Sequence, residues 1–437
     1  MNQDIINQPS AKTTDSLRVW LVTIGEPLPI DSSNERLYRI GILADKLIKR
    51  GHEVIWWSST LDHIKKRHRH SKDHSISLSP KYHLKLLHSL IYKKNISLIR
   101  VINHYGVAKK FAKLSKYEPT PDIIISSVPP LELSLAAVKY GKKRGVPVIL
   151  DARDMWPDIF VDIVPKWGRW LFKMALYPMF RIAKSAFKGA SAIIGITPDF
   201  VNWGINYAER VRTNIDCDFP LGYQDKIPNT EAIKQAEDFW DGLGINNFDK
   251  NEFTICYFGT IGPWFEFDTI IKAVDKLNAL KLSFNFVLCG DGDYLNQYQE
   301  IAKNYPNIIF PGWVGEAQIW TLMRRSKVGL LPYRSTKDFQ VSIPNKIPEY
   351  LSAGLPVISS LQGISNEIIT VHDCGITYEN GDPESLASVL ENLYYNPNKL
   401  KTLSKNAYKL FQGKFVAEKV YGQLIDYLES IVVNYKK

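Results

Sequence analysis

Short apolar runs that stop at glycine alternate with longer stretches of helical periodicity along most of this chain. The first run, residues 17–24, ends at Gly25, and Pro27 and Pro29 break the backbone before a helical stretch at 35–50. Gly51 stops that helix, and 53–57 predicts the second strand. The rhythm continues with a strand at 122–126, a helix at 131–144 closed by Gly145, and strands at 146–150 and 192–196. After a polar stretch, 225–249, a second cycle opens with a strand at 253–258 that ends at Gly259. A helix at 268–280 and a strand at 283–288 follow, then Gly290-Asp291-Gly292. Strands at 307–310 and 328–331, a helix at 348–353 opening on Pro348, and a strand at 357–359 complete it.

Apolar strands alternating with helices define an α/β fold with doubly wound parallel sheets. At 437 residues the chain exceeds what one core usually holds, so two Rossmann-like domains are expected. The expected layout is a flexible tail at 1–16, an N-terminal domain at 17–220 and a linker at 221–250. A C-terminal domain at 251–411 follows, then a helix at 412–437 that packs back toward the first domain.

Charge changes the picture in one respect. Lys and Arg number 55 against 45 Asp and Glu, a formal net charge of +10 that favours an anionic partner. Much of the basic character lies in two acid-free segments of the N-terminal half, 81–116 and 166–188, where lysine and arginine alternate with Trp, Phe and Tyr. Such segments suit a surface facing anionic lipid, and they also suit an ordinary solvated helix face. With the charge beside apolar helices and no recognisable nucleic-acid motif, a nucleic-acid partner is not expected. Cys217, Cys256, Cys289 and Cys374 are scattered, which is neither a disulfide framework nor a zinc pattern and points to a reduced compartment. The polar N-terminus is no signal peptide, and no run nears the ~20 apolar residues of a membrane span. A cytoplasmic protein, peripheral at the inner face of the membrane, is the expectation.

Three places carry chemistry. Gly290-Asp291-Gly292 follows a strand and lets backbone approach a ligand, but Tyr294 and Leu295 rule out a full dinucleotide fingerprint. The loop with Ser342, Pro344, Asn345 and Lys346 runs into a helix, and its amides with the Lys346 cation suit a diphosphate. Glu349 there reads equally as a carboxylate for ribose hydroxyls or as a first-turn acid complementing the helix dipole. Arg153, between Asp151 and Asp154, argues for an ion-paired wall over a glycosidase-type carboxylate pair, and Asp154 also fits a capping role. His63, His68, His70 and His74 cluster without an acid or cysteine that completes a metal site.

Glu349-Tyr-Leu-Ser-Ala-Gly-Leu-Pro-Val resembles the second half of the Glu-x7-Glu signature of family-4 retaining glycosyltransferases. The Pro-Asn-Lys ahead of it is similar to members that assemble bacterial surface polysaccharides, O-antigen and capsule among them. Ser126-Ser-Val-Pro-Pro130, Gly145-Val-Pro-Val148 and Asp151-Ala-Arg-Asp154-Met-Trp-Pro157 resemble that subgroup's first domain. Tyr257-Phe-Gly259-Thr260, Leu288-Cys-Gly-Asp-Gly292 and Phe310-Pro-Gly-Trp-Val314 fall in the family's order in the second.

The resemblance implies a GT-B fold, two domains facing a cleft, with the acceptor bound by the first and a nucleotide-sugar donor by the second. It places Glu349 on the donor ribose, and Trp313 and Val314 around the base. Gly259, Thr260, the 290–292 turn and the 342–346 loop surround the diphosphate, and Gly25 approaches from the other domain. Arg153 and Asp154 fall where relatives have catalytic cleft residues. The implied reaction is retaining transfer from an NDP-sugar, UDP-linked, to a lipid-linked saccharide, with no metal or other cofactor. The family's first glutamate falls at Val341, and its Arg and Lys after the opening strand fall at Thr260 and Phe265. Lys346, Arg334 and Arg324 are the candidates to replace their charge. A sugar-nucleotide epimerase of the same architecture, or a catalytically weakened sugar-nucleotide-binding scaffold, are the alternatives.

Overall fold

The structure is a computed structural model in which residues 16–31, 36–95, 97–162, 164–224, 226–245 and 252–435 are described. The chain forms two compact units: the residues up to Phe219 together with those from Tyr421 on, and Pro220–Val420.

Unit 1 runs β1 (Arg18–Val22), α1 (Arg39–Lys49), β2 (Glu53–Ser59), the short hairpin β3 (Leu61–Asp62) and β4 (Arg67–His68), β5 (His74–Ser79) and β6 (Tyr82–Leu87). It continues α2 (Leu98–Leu114), β7 (Ile123–Val128), α3 (Leu131–Arg144), β8 (Val148–Ala152), α4 (Asp158–Asp162), α5 (Arg169–Ala175), α6 (Tyr177–Gly189), β9 (Ala192–Gly195) and α7 (Pro198–Ala208). Its seven-stranded sheet has the order β5-β6-β2-β1-β7-β8-β9, with β5 antiparallel to β6 and the other pairs parallel. Strand order reverses between β1 and β7, so the loops after these strands flank the crevice where such sheets bind ligands.

The apolar strands β1, β2 and β7 are buried because helices cover both faces, which is why they read as continuous apolar runs. In α1 the buried Ile40, Leu43, Ala44 and Leu47 repeat at helical spacing. Of that expected helix, residues 36–38 precede its start at Arg39, and Glu35 lies outside the described residues. Strand β8 starts at Val148, two residues later than expected. Gly145 adopts a left-handed φ of 66° at the helix end, and the Val146 amide donates back to Gly141 O at 3.0 Å, holding Val146 in the cap.

The basic segment 81–116 is also not one helical surface. Tyr82, Leu84 and Leu86 alternate with polar residues and bury as strand β6, and only the part from Leu98 onward is helix.

Unit 2 begins with α8 (Thr230–Gly242), β10 (Phe253–Phe258), α9 (Phe267–Ala279), β11 (Phe284–Cys289), α10 (Leu295–Ala302), β12 (Ile308–Ile309) and α11 (Glu316–Arg325). It continues β13 (Val328–Leu331), α12 (Lys337–Val341), α13 (Lys346–Ser352), β14 (Val357–Ser359), α14 (Ile364–Val371), β15 (Gly375–Thr377), α15 (Pro383–Tyr395) and α16 (Pro397–Leu410). The sheet is parallel throughout in the order β12-β11-β10-β13-β14-β15, reversing between β10 and β13. The last helix, α17 (Ala417–Tyr435), belongs to unit 1 from Tyr421 on. Its Tyr421, Leu424, Ile425, Leu428 and Val432 are buried, and Glu429 accepts from His52 Nε2 and Arg50 at 2.9 Å.

Within the stretch expected as linker, 221–250, the described residues include a helix of unit 2, α8. Asn229 caps α8 by accepting from the Ala232 amide at 2.8 Å. One face then carries Ala236 and Trp240 into the core. Trp240 is fully buried, and its indole donates to Gln318 O and Thr321 Oγ1, both at 3.0 Å. Ile233 and Phe239 flank these two at helical spacing, a stripe obscured in the sequence by the polar residues around it. Among the described residues no helix is long and apolar enough to cross a membrane.

Trp240→Ala is expected to destabilise unit 2 by about 3–5 kcal/mol, the usual cost of emptying a buried indole site. Urea denaturation checks this, since a true linker residue would leave the midpoint unchanged.

Candidate functional site

At the C-terminal ends of β10 and β11, backbone meets backbone. Gly259 and Gly290 both have φ near +145°, and a Cβ built on Gly290 would lie 1.6 Å from Gly259 O. Only glycine permits that approach. The Gly259 amide donates to Cys289 O (3.0 Å), the Ile261 amide to Asp291 O (2.9 Å), and the Gly290 amide to Gly312 O (2.8 Å). The turns after β10, β11 and β12 are thereby stitched together. Trp313 stands 72% exposed beside them, and Val314 is buried beneath.

Helix α13 delivers the charge. It opens at Lys346, two residues before Pro348, because the Ile347 amide closes a turn on Pro344 O at 2.9 Å and proline is tolerated in a first turn whose N–H groups lack partners. The Lys346 ammonium lies against Gly259, where a Cβ would come within 2.6 Å of Nζ. It donates to Tyr333 Oη at 3.0 Å and sits over the rings of Tyr257, Phe265 and Tyr333 at 5.1, 5.3 and 5.2 Å. Among the described residues it has no carboxylate partner. A cation without a carboxylate partner at a sheet's switch point has the chemistry to receive an anion. Glu349, three residues on and 7% exposed, shares its helix face. Burial and this nearby carboxylate push the Cys256 thiol up to about 12.

The other expected replacements for charge lie elsewhere. Arg324 stacks on Trp320 at 3.4 Å, and Arg334 adds its charge near Glu266, whose carboxyl burial raises while it accepts from the Gly381 amide at 2.8 Å. Thr260 is exposed, with its carbonyl accepting from Tyr257 Oη at 2.7 Å. Ser342 is held through its carbonyl by Ser365 Oγ at 3.0 Å, Pro344 closes the turn into α13, and Asn345 is exposed.

Unit 1 has its own constellation at the ends of β1 and β8. Gly25 turns with φ 87°, and the next residue, Glu26, accepts from the Ile40 amide at 3.0 Å. Arg153 bridges Glu26 and Asp151, and Arg39 holds Asp151 from the other side at 2.9 Å. Burial works to raise the Asp151 carboxyl, but the two arginines outweigh it and hold it below the usual range. Asp151 is thus an ion-paired wall, and Arg153 fixes the glycine turn. Asp154 accepts from the Met155 amide at 3.0 Å and from the Trp156 indole at 3.1 Å.

Sequence reading missed what lies beside this. His63 Nδ1 shares a 2.6 Å hydrogen bond with Tyr92 Oη, and Arg100 lies over Trp156 at 4.6 Å. His104 is buried with Nδ1 3.9 Å from Glu132. Also missed was Tyr333, although its place just past β13, next to β10 in the sheet, is the one signal the topology offers. Among the described residues no group of three or more His, Cys, Asp or Glu is arranged to hold a metal.

The fold defines the class: two Rossmann-like units of the GT-B type. Residues 238–410, which include the Lys346 site, match the family model described as glycosyl transferases group 1. An uncharacterized glycosyltransferase of Methanocaldococcus jannaschii is 24% identical over 238 residues, 54% of this chain and 57% of that protein. The match thus spans little more than half the length of that relative. Sucrose-phosphate synthase from Thermosynechococcus elongatus superposes with a TM-score of 0.68 at 14% identity, over 96% of this chain and 100% of that one. Anabaena HepE in complex with UDP-glucose gives 0.62 at 15% identity, over 95% and 100%.

Burial, then Lys66 and Arg100, hold His63 down at about 4, and burial, then Arg100 and His63, hold His104 at about 3. Both folded values lie below the unfolded 6.5, so the unfolded chain takes up these protons first. Stability is complete above about pH 6.5 and falls as pH drops toward 4, by up to about 1.4 kcal/mol per pH unit per histidine. In His104→Gln, denaturation at pH 7 and pH 5 should show a shallower pH slope. An unchanged slope would remove His104 from this account.

Proposed function

We propose that this chain is a retaining family-4 glycosyltransferase that moves a sugar from a nucleotide sugar, UDP-linked, to a lipid-linked saccharide in bacterial surface-polysaccharide (O-antigen or capsule) assembly. The observation that carries it is the Lys346 ammonium, ring-caged against Gly259 at the switch point of the unit whose segment matches glycosyl transferases group 1. The binding of UDP-glucose by the structurally similar HepE fits a nucleotide-sugar donor.

In this reading the diphosphate lies over the 259–261 and 290–292 turns, and Lys346 takes the charge that two family positions, Thr260 and Phe265, do not carry. Glu349 holds the ribose, and Trp313 and Val314 lie at the base. The acceptor oxygen bonds the anomeric carbon on the face the diphosphate leaves, the bond to the diphosphate breaks, and the acceptor proton passes to a diphosphate oxygen. The protein's part is orientation and charge stabilisation, supplied without a metal by Lys346 and backbone dipoles. On the acceptor side Arg153 fixes the Gly25 turn and Asp154 faces the saccharide.

The surface of unit 1 supports a lipid-linked acceptor. Helix α5 buries no residue; Trp167 is 81%, Trp170 63% and Met174 66% exposed, with Lys166 and Lys173 among them. Water does not favour such a face, whereas the headgroup layer of an anionic membrane at the cytoplasmic side does. A sugar-nucleotide epimerase has no use for it.

Two variants test the donor half. Lys346→Met should weaken UDP binding about 10- to 100-fold, the size of a lost charge-assisted contact, read as lost thermal stabilisation by UDP. Glu349→Ala should abolish turnover of the nucleotide sugar while the unliganded melting temperature stays near wild type. Wild-type-like UDP binding and turnover in both would sink the assignment.

A further inference from the structure

A groove of about 650 Å³ runs along unit 1 between α2, α3 and α6, starting at Glu132 beside His104 and running away from the strand ends. Small residues make it: Ala108 and Ala112 on α2, one turn apart, face Leu135 and Ala136 on α3, with Ile182 of α6 closing a side. Five cations line the same groove, Lys109, Lys116, Lys139, Lys143 and Arg144. Among the described residues none of the five forms an ion pair, although Lys85, Lys110 and Lys184 nearby in the sequence do. Cations in a last helical turn complement the helix dipole, which accounts for Lys143 and Arg144. It does not account for Lys109 and Lys139, which lie mid-helix, nor for an apolar floor beneath all five.

The groove is also polarised along its length. Helices α2 and α3 each cross between parallel strands, so they run in the same direction with their first turns together. At the first-turn end stand Tyr105 and Glu132, the lone acid of the lining. Glu132 is buried, and burial raises its proton affinity. At the far end, about 16 Å on by helical rise, stand Lys116, Lys143 and Arg144. One end therefore suits a hydrocarbon chain and the other an anionic head.

We propose that this groove binds one molecule of anionic phospholipid, its chain along the alanine floor and its phosphate at Lys116, Lys143 and Arg144. The occupant rests on the membrane-facing reading of unit 1. Exposed Leu98, Ile99, Ile102 and Tyr105 of α2 continue from the groove, and Ile182 belongs to α6, which directly follows the exposed face of α5. The sugar acceptor itself is excluded by direction. An anionic head at the helix C-termini lies at the opposite end of the sheet from the turns that carry Gly25 and Asp154, so a saccharide on that head would be out of reach of them. The lipid is an anchor for the enzyme, distinct from what it glycosylates.

Native mass spectrometry and titration calorimetry on the full chain, with dihexanoyl phosphatidylglycerol below its micelle concentration, test this. A single phosphatidylglycerol should bind saturably, and dihexanoyl phosphatidylcholine at least tenfold more weakly. Ala112→Trp, which fills the exposed floor, and the triple variant Lys116→Glu, Lys143→Glu, Arg144→Glu should each weaken binding at least tenfold. Equal binding of the zwitterion, competition by inorganic phosphate alone at similar concentration, or full binding by Ala112→Trp would overturn the groove. Trp167→Glu with Trp170→Glu separates this from the membrane reading. That variant should lose flotation with phosphatidylglycerol vesicles yet keep the short-chain lipid. Wild-type protein that fails to float would count against the docking face, while short-chain binding sensitive to Ala112→Trp would still uphold the groove.

Discussion

Unit 2 depends on a contact that no side chain makes. Because Gly259 and Gly290 press main chain against main chain, the turns after adjacent strands form one continuous floor of amides, and the switch point stays open above it. A methyl group at either position would wedge the turns apart and take the ammonium of Lys346 from its seat. Strand order sets where the crevice lies, glycine sets how close the backbones come, and the helix that follows supplies the charge. Each layer presupposes the one below it.

Unit 1 solves a related problem with charge. Its glycine turn is held by Glu26, Arg153, Asp151 and Arg39, two acids against two bases, in a chain of contacts that links residues more than a hundred positions apart. Buried pairs of this kind gain little net stability, since desolvation offsets the attraction. Their effect here is to give one loop one conformation.

Much of this was legible along the chain because its signals are local. Helix α3 and strands β10, β13 and β14 end where their glycines and apolar runs say they should. What escaped is non-local or weak. Helix α8 carries its apolar side chains, Ile233, Ala236, Phe239 and Trp240, among acids and a lysine, and the partners that hold Trp240, Thr321 and Gln318, lie far along the sequence. The lysines near 81–87 read as part of an interfacial surface because their neighbours are apolar, yet Tyr82, Leu84 and Leu86 alternate in strand register. Lys346 and Glu349 stand out in one short stretch of sequence. The three rings around the ammonium come from separate strands and loops, and only the sheet brings them together.

The cage has a consequence for how the site can vary. Its three rings fit a compact ammonium, so a broad, planar guanidinium at 346 would have to displace at least one of them, and the two basic side chains are not interchangeable here. Nor would a lysine placed at 265 alone suit the cage, since Phe265 is itself a wall of it and a second ammonium there would face the first across about 5 Å with nothing between. A charge moved from the helix to the loop would therefore need a ring supplied in return, so the two positions can only change together.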